Sequence, residues 1–235
     1  MSVTVEKLIK DFDLEVLVEG KPNELITVND INRPGLQLAG FYNYFAPERL
    51  QVIGKAEWSF LDDMQVEFRK KRLNKYFTFP MHCIIMSRGL EPHEELINAA
   101  NKKNIWVLRS DLVTTKLMSN LTIYLSDKLA PETRLHGVLV DVSGIGILIT
   151  GESGIGKSET ALELIKRGHR LVTDDAVDIK EIDGELIGSS PSITRGMLEV
   201  RGIGIIDVPA LYGISSILLK KTITLVMHFE HWKDD

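Results

Sequence analysis

The chain has one cysteine, Cys83, in 235 residues. No disulfide can form within it. A lone thiol inside the apolar run Met81–Met86 reads as core filler rather than as a nucleophile. A chain without disulfides suits a reducing cytoplasm, the expected location. No apolar run approaches the roughly 20 residues needed to cross a bilayer, and the N-terminal MSVTVEKLIKDF lacks the features of a secretory signal. No membrane partner is expected. An excess of positive charge is missing too. The net charge is −5, which disfavours general nucleic-acid binding. The one basic cluster, Arg69-Lys70-Lys71-Arg72, follows Asp62 and Asp63 on a predicted helix. Acids early and bases late suit the helix dipole, so the cluster reads as a solvated face. The six histidines show no zinc-binding spacing. Internal repeats and low-complexity segments are also lacking.

What is present is an ordinary globular composition, 44% hydrophobic and 26% charged, long enough for one large or two small domains. The first half alternates helix-like and strand-like segments, an α/β pattern. The clearest stretch runs CIIMS (strand), PHEELINAANKK (helix), IWVLRS (strand) and TTKLMSNLTIYLSDK (helix). Glu91, His93, Glu94 and Glu95 cluster at a helix start, where acids are expected for dipole reasons alone. The segment LAPETRLH, with Pro131, reads as a linker. The expected domains are therefore 1–129 and 130–235.

The second domain carries the chemistry. Gly151–Ser158, GESGIGKS, fits the phosphate-binding pattern G-x-x-x-x-G-K-[ST] at every fixed position. Before it, GILIT reads as a buried strand. After it, ETALELIKRG reads as a helix closed by Gly168. Strand, glycine loop and helix are the context this pattern requires. Gly151, Glu152, Ser153, Gly154, Ile155, Gly156, Lys157 and Ser158 are thus the expected phosphate cradle, with N–H groups converging at a helix N-terminus. Lys157 can reach outer phosphates, and the Ser158 hydroxyl can ligate Mg²⁺.

GVLVDV and IGILIT are separated by Ser143-Gly144, a two-residue hairpin signal. That turn pairs Val142 with Ile145 and, carried along the strands, sets His136 opposite Gly151. His136 is therefore expected beside the loop. RLVTDD reads as a strand ending in Asp174 and Asp175, whose side chains should then point to opposite faces, so that only one faces the loop. Asp183-Gly184 marks another hairpin between VDIKEI and ELIGS. LEVRGIGIIDVP carries Glu199, Arg201 and Asp207. TITLVMHFEHW is strand-like, followed by a polar KDD. Residues 159–235 leave little room for a parallel sheet with several crossovers, each of at least a dozen residues. The expected fold is therefore α/β, with a glycine-loop domain on a mixed, largely antiparallel sheet, or else the domain is incomplete.

These residues carry a family resemblance. HGVLVDVSGIGILITGESGIGKSETALELIKRGHRLVTDD, followed by MLEVRGIGIIDV, resembles the bacterial HPr kinase/phosphorylase family. LEVRGIGIIDV is the more diagnostic part. INRPGLQLAGF is similar to that family's N-terminal domain, and the resemblance spans nearly the whole chain. It implies a catalytic domain similar to that of phosphoenolpyruvate carboxykinase. It implies an enzyme that uses ATP or pyrophosphate to phosphorylate a serine of the phosphocarrier protein HPr and removes the group by phosphorolysis. Carbon catabolite control and a homohexamer follow from the same resemblance.

The resemblance also implies roles. Lys157 acts on the transferred group, and Ser158 and Glu199 hold Mg²⁺. Asp175 orients and deprotonates the HPr serine, and Asp174 supports it. His136 handles charge or protons near the phosphates, and Arg201 and Asp207 are supporting residues. Family members continue past HFEHW into a Y-D-R-L-G-like segment with a functional arginine, a basic segment and terminal helices. Since this sequence stops at Asp235, nucleotide binding is expected to survive and full turnover to suffer. A small-molecule kinase or carboxykinase on the same scaffold and a non-catalytic nucleotide-sensing module are the competing readings.

Overall fold

The structure is a computed structural model and describes residues 1–232; Lys233, Asp234 and Asp235, the polar end noted above, lie outside the described residues. The chain divides into two compact units, residues 1–129 and residues from 130 on.

The first unit runs β1 (Val3–Thr4), α1 (Val5–Phe12), β2 (Glu15–Val18), β3 (Leu25–Ile26), β4 (Ile31–Asn32), α2 (Gly35–Leu38), β5 (Leu50–Ile53), α3 (Lys55–Asp62), α4 (Val66–Tyr76), β6 (Cys83–Met86), α5 (Glu94–Lys103), β7 (Trp106–Arg109) and α6 (Thr114–Leu129). Its main sheet has the order β2-β7-β6-β5-β4. The pairs from β4 to β7 are parallel, and β2 is an antiparallel edge. Strands buried on both faces must be apolar throughout, as CIIM is. Alternate residues serve opposite layers. Ile53, Ile84, Met86 and Val107 pack with Leu61, Leu73 and Leu96 of α3, α4 and α5. Val52, Cys83, Ile85 and Leu108 pack with Leu8 of α1 and Leu117, Leu121 and Leu125 of α6. Burial pushes the Cys83 thiol up to about 12, which keeps it protonated within that core.

The basic cluster departs from expectation. Asp62 ends α3 and Asp63 caps it, while Arg69–Arg72 lie on α4, so the acids and bases share no helix. Nor is the cluster wholly solvated. The Arg69 side chain is only 12% exposed and pairs with Glu95 at 2.9 Å, and Arg72 lies over the Phe68 ring.

The second unit runs β8 (Glu132–His136), β9 (Val138–Val142), β10 (Ile145–Gly151), α7 (Lys157–Lys166), β11 (Arg170–Thr173), β12 (Ala176–Ile182), β13 (Glu185–Ser189), β14 (Met197–Val200), β15 (Gly204–Asp207), α8 (Val208–Tyr212), β16 (Lys220–Thr222) and β17 (Leu225–Phe229). LAPETRLH is thus no linker: its second half is β8, an edge strand paired with β12. Two four-stranded sheets form, ordered β11-β9-β10-β17 and β16-β13-β12-β8. Apart from the parallel β10–β17 pair, their named strand pairs are antiparallel. The unit is therefore mixed and largely antiparallel.

Alternation again sorts the core. Val138, Val140 and Ile149 face α7 and the β14–β15 hairpin, meeting Ala161, Ile165, Leu198 and Val200. Leu139, Leu148 and Val172 face the second sheet, meeting Val177 and Ile179. Asp141, buried on β9, ties the sheets together. It accepts from Arg170 at 2.6 Å and Lys221 at 2.8 Å. Burial pushes its carboxyl up, but the bonds from Lys221 and Arg170 outweigh that and hold it below the usual carboxylate range.

The hairpin register holds over its length, from Val142 opposite Ile145 to Val138 opposite Ile149. Both turn residues take positive φ, Ser143 at 51° and Gly144 at 91°, as a two-residue turn requires. Beyond Val138 the extrapolation fails. The chain leaves the sheet at Gly137, His136 pairs with Ala176, and Gly151 pairs with Phe229. A side chain on Gly137 would come within 2.8 Å of the Ile149 carbonyl oxygen, so a bare glycine is what lets the chain cross between sheets.

Candidate functional site

β10 delivers the loop and α7 receives it. Gly151 has φ 140°, Gly154 84° and Gly156, the N-cap of α7, 104°. These are values that side chains other than glycine's rarely tolerate. The first-turn N–H groups of α7 lack partners within the helix and open onto a cleft of about 180 Å³. His136, Ser153, Gly154, Gly156, Lys157, Ser158, Glu159, Asp174, Asp175, Glu199 and Arg201 line that cleft. His136, Lys157, Ser158, Asp174, Asp175, Glu199 and Arg201 therefore share one space, and Asp207 does not. Asp207 instead caps α8, accepting from the Ala210 N–H at 3.0 Å. Glu152 and Ile155 belong to the loop but not to the cleft wall.

Lys157, expected to reach toward phosphates, instead turns back onto its own loop. Its side chain is buried, and Nζ donates to the Gly151 and Glu152 carbonyls, both at 2.9 Å. A buried ammonium needs acceptors, and the loop backbone supplies two.

The two aspartates also depart from expectation. They occupy a bend between β11 and β12, not a strand, with Asp175 at φ 70° and the Ala176 N–H donating to the Asp174 carbonyl at 2.9 Å. Face alternation therefore does not apply, and both line the cleft. They differ in burial. Asp175 is 73% exposed at its side chain and lies 2.9 Å from His136 Nδ1. Asp174 is buried, accepts from Ser158 Oγ at 2.8 Å and accepts from the Glu199 N–H at 2.9 Å. Burial raises the Asp174 carboxyl above its ordinary range, against the opposing bonds from Glu199, Ser158 and the Asp175 backbone.

Asp174 is thus a bracket between α7 and β14. Sequence reasoning undervalued it because its partners are distant along the chain. The available signal was the doubled acid at a strand end. His136 reaches the cleft through its pairing with Ala176, next to Asp175, and not through the β9–β10 hairpin.

These features define a two-unit α/β protein with a glycine-lined cleft at a helix N-terminus, faced by carboxylates, a lysine and an arginine. Family models then specify it: the HPr Serine kinase N terminus matches residues 3–125, and the HPr Serine kinase C-terminal domain matches residues 127–235. The HPr kinase/phosphorylase of Clostridium botulinum (strain Alaska E43 / Type E3) is 77% identical over all of this chain, which covers 77% of that protein. That of Clostridium tetani is 64% identical, again over the whole chain and 77% of the relative. A solved structure, the Hpr(Ser) kinase/phosphatase from Coxiella burnetii, is 44% identical over 41% of this chain and 64% of its own, with a TM-score of 0.40. The chain belongs to the HPr serine kinase family.

Proposed function

We propose that this chain is a bifunctional protein-serine kinase and phosphorylase acting on the phosphocarrier protein HPr, with ATP or pyrophosphate as donor. One observation carries the reading. In a chain of this family, the Gly151–Ser158 loop, buried Asp174 and the exposed Asp175–His136 pair meet in one cleft. The loop is read as a phosphate-binding loop on a scaffold resembling phosphoenolpyruvate carboxykinase. Phosphoryl transfer needs positioning and charge neutralisation more than covalent chemistry, and this cleft is equipped for both.

Lys157 would exchange two loop carbonyls for phosphate oxygens, which are better acceptors for an ammonium. Ser158 and Glu199 would hold Mg²⁺, with Asp174 orienting the Ser158 hydroxyl. These are hard oxygen donors, and few of them, as Mg²⁺ prefers when phosphates and waters complete its shell. When bound, the ion would neutralise phosphate charge.

In the forward direction Asp175 accepts the proton of the HPr serine. The serine oxygen bonds to the terminal phosphorus, and the bond to ADP, or to phosphate when pyrophosphate is the donor, breaks. In the reverse direction an oxygen of inorganic phosphate attacks the phosphoserine phosphorus. Pyrophosphate forms, and Asp175 returns the proton to the serine oxygen. His136, beside Asp175, balances its charge as the proton moves. A cytoplasmic homohexamer serving carbon catabolite control completes the reading.

No helix among the described residues is long and apolar enough to cross a membrane. The deciding assay incubates the purified chain with ATP labelled at the γ-phosphate and with HPr, then adds inorganic phosphate and measures pyrophosphate. Labelled phosphoserine on HPr, lost on phosphate addition with matching pyrophosphate, is the expected result. Transfer to a small molecule with none to HPr would overturn the assignment.

A further inference from the structure

The β14–β15 hairpin brings a second residue to the cleft. Along Met197–Val200 exposure alternates, with Leu198 and Val200 buried against α7 and Glu199 exposed. Arg201 continues the exposed series, so Glu199 and Arg201 leave the hairpin on the cleft side. The turn holds this geometry. Val200 pairs with Gly204 across the three residues Arg201-Gly202-Ile203, and the Ile203 N–H donates to the Val200 carbonyl at 3.1 Å. Gly202 at φ 80° and Gly204 at φ 98° supply the left-handed conformations such a loop uses.

The guanidinium lies directly over Gly154. A Cβ built on that glycine would sit 2.5 Å from Arg201 Cζ, so Gly154 is bare where Arg201 approaches. Among the described residues Arg201 makes no ion pair or hydrogen bond, although Glu159, Asp174, Asp175 and Glu199 line the same cleft. The other fixed cation there, Lys157, already donates to two carbonyls. Arg201 is thus the cleft's uncommitted fork of N–H donors. It is carried by a separate element and laid against the loop whose N–H groups face the same space.

We propose that Arg201 is a phosphate-binding residue that, from its place over Gly154, reaches the outermost phosphates of the donor in a two-point contact. The proposal rests on reading Gly151–Ser158 as a phosphate loop. It adds a specificity element: the contact distinguishes ligands with a chain of two or more phosphates, nucleoside triphosphate and pyrophosphate, from a nucleoside monophosphate. Because the same hairpin bears Glu199, whose N–H is tied to Asp174, the guanidinium and the candidate metal carboxylate reach the phosphates together.

The test is titration calorimetry of the parent, Arg201→Gln and Arg201→Lys with pyrophosphate, a non-hydrolysable ATP analogue and AMP, at fixed Mg²⁺. Thermal melts check that each variant folds, as expected for an exposed side chain. Arg201→Gln should weaken pyrophosphate and the analogue by roughly ten- to a hundredfold while AMP changes less than about twofold. Arg201→Lys should fall between, keeping the charge but losing the fork. Equal affinities in the parent and Arg201→Gln would remove Arg201 while leaving the phosphate loop standing. An equal loss for AMP and pyrophosphate would make it a general structural residue. A parent that binds neither pyrophosphate nor the analogue would remove the phosphate-loop reading and this one with it.

Discussion

Replacing Asp174 separates charge from hydrogen bonding. Its carboxylate accepts from Ser158 Oγ at 2.8 Å and from the Glu199 N–H at 2.9 Å while 6% exposed. Asp174→Ala leaves both donors unpaired where water has little access. Each such loss costs about 1–3 kcal/mol, and the small cavity adds to it. A total of about 2–4 kcal/mol is expected, a large share of the roughly 5–15 kcal/mol of a typical domain. Asp174→Asn is different. Its carbonyl still accepts from Glu199, and the Ser158 hydroxyl can turn to accept from the amide. The weaker neutral bonds are offset by removing a buried charge, so the net change is expected within about 1 kcal/mol.

The pH dependence has a definite sign. Burial raises the folded-state Asp174 pKa above the unfolded value of 3.8. The folded chain therefore binds the proton more tightly, and this group's contribution falls as pH rises from the unfolded pKa through the raised one. Asp174→Asn lacks that loss, so its stability relative to the parent should improve with rising pH across the window. Urea unfolding of the three chains at several pH values measures this. Asp174→Ala as stable as the parent, or Asp174→Asn less stable than Asp174→Ala, would refute the bracket.

Lys157→Ala should lower phosphoryl transfer by at least about 10²-fold while the chain stays folded, read from HPr labelling beside circular dichroism. Parent-like transfer in the folded variant would refute the assignment of Lys157 to the transferred group. Asp175→Asn should lose transfer in both directions yet bind ATP and Mg²⁺ as the parent does, because its exposed carboxylate faces His136 and not Ser158; selective loss of metal binding would instead exchange its role with that of Glu199. Asp141→Asn should cost about 2–4 kcal/mol near neutral pH by leaving Arg170 and Lys221 without their carboxylate. Since the folded-state pKa of Asp141 is depressed, its contribution is present above the unfolded value and fades as pH falls through the folded one. Equal stability of parent and variant in neutral urea melts would count against it.

Features set by neighbouring residues were legible from the sequence. The Ser143-Gly144 and Asp183-Gly184 turns need positive φ at adjacent positions, which these residues accept. The registers Val142 opposite Ile145 and Ile182 opposite Glu185 then follow. The glycines of Gly151–Ser158, the strand before them and the helix after them are likewise a local pattern. The alternation of strand and helix segments in the first half is a local pattern too, because periodicity is written within each segment. What stayed hidden depends on residues far apart in the chain.

The chain can cross between sheets at Gly137 only because that residue lacks a side chain beside a carbonyl of the neighbouring strand, a constraint no turn rule contains. That crossing moved His136 from Gly151 to Ala176. Asp174 and Asp175 looked like strand neighbours, yet they share a cleft because the chain bends between β11 and β12. Asp174 became the buried one because Ser158 and Glu199 converge on it from either side in sequence. Lys157 was expected to reach phosphates because its motif describes it with a ligand; the folded loop turned its ammonium onto its own carbonyls. Arg201 was one charge among several in LEVRGIGIIDV until folding stacked it on Gly154. The sequence by itself determined the turns, the loop and the residue types at hand. Which of those residues meet was decided by the packing of two sheets, one helix and one hairpin, since burial and long-range contact are properties of the assembled core and of no single segment.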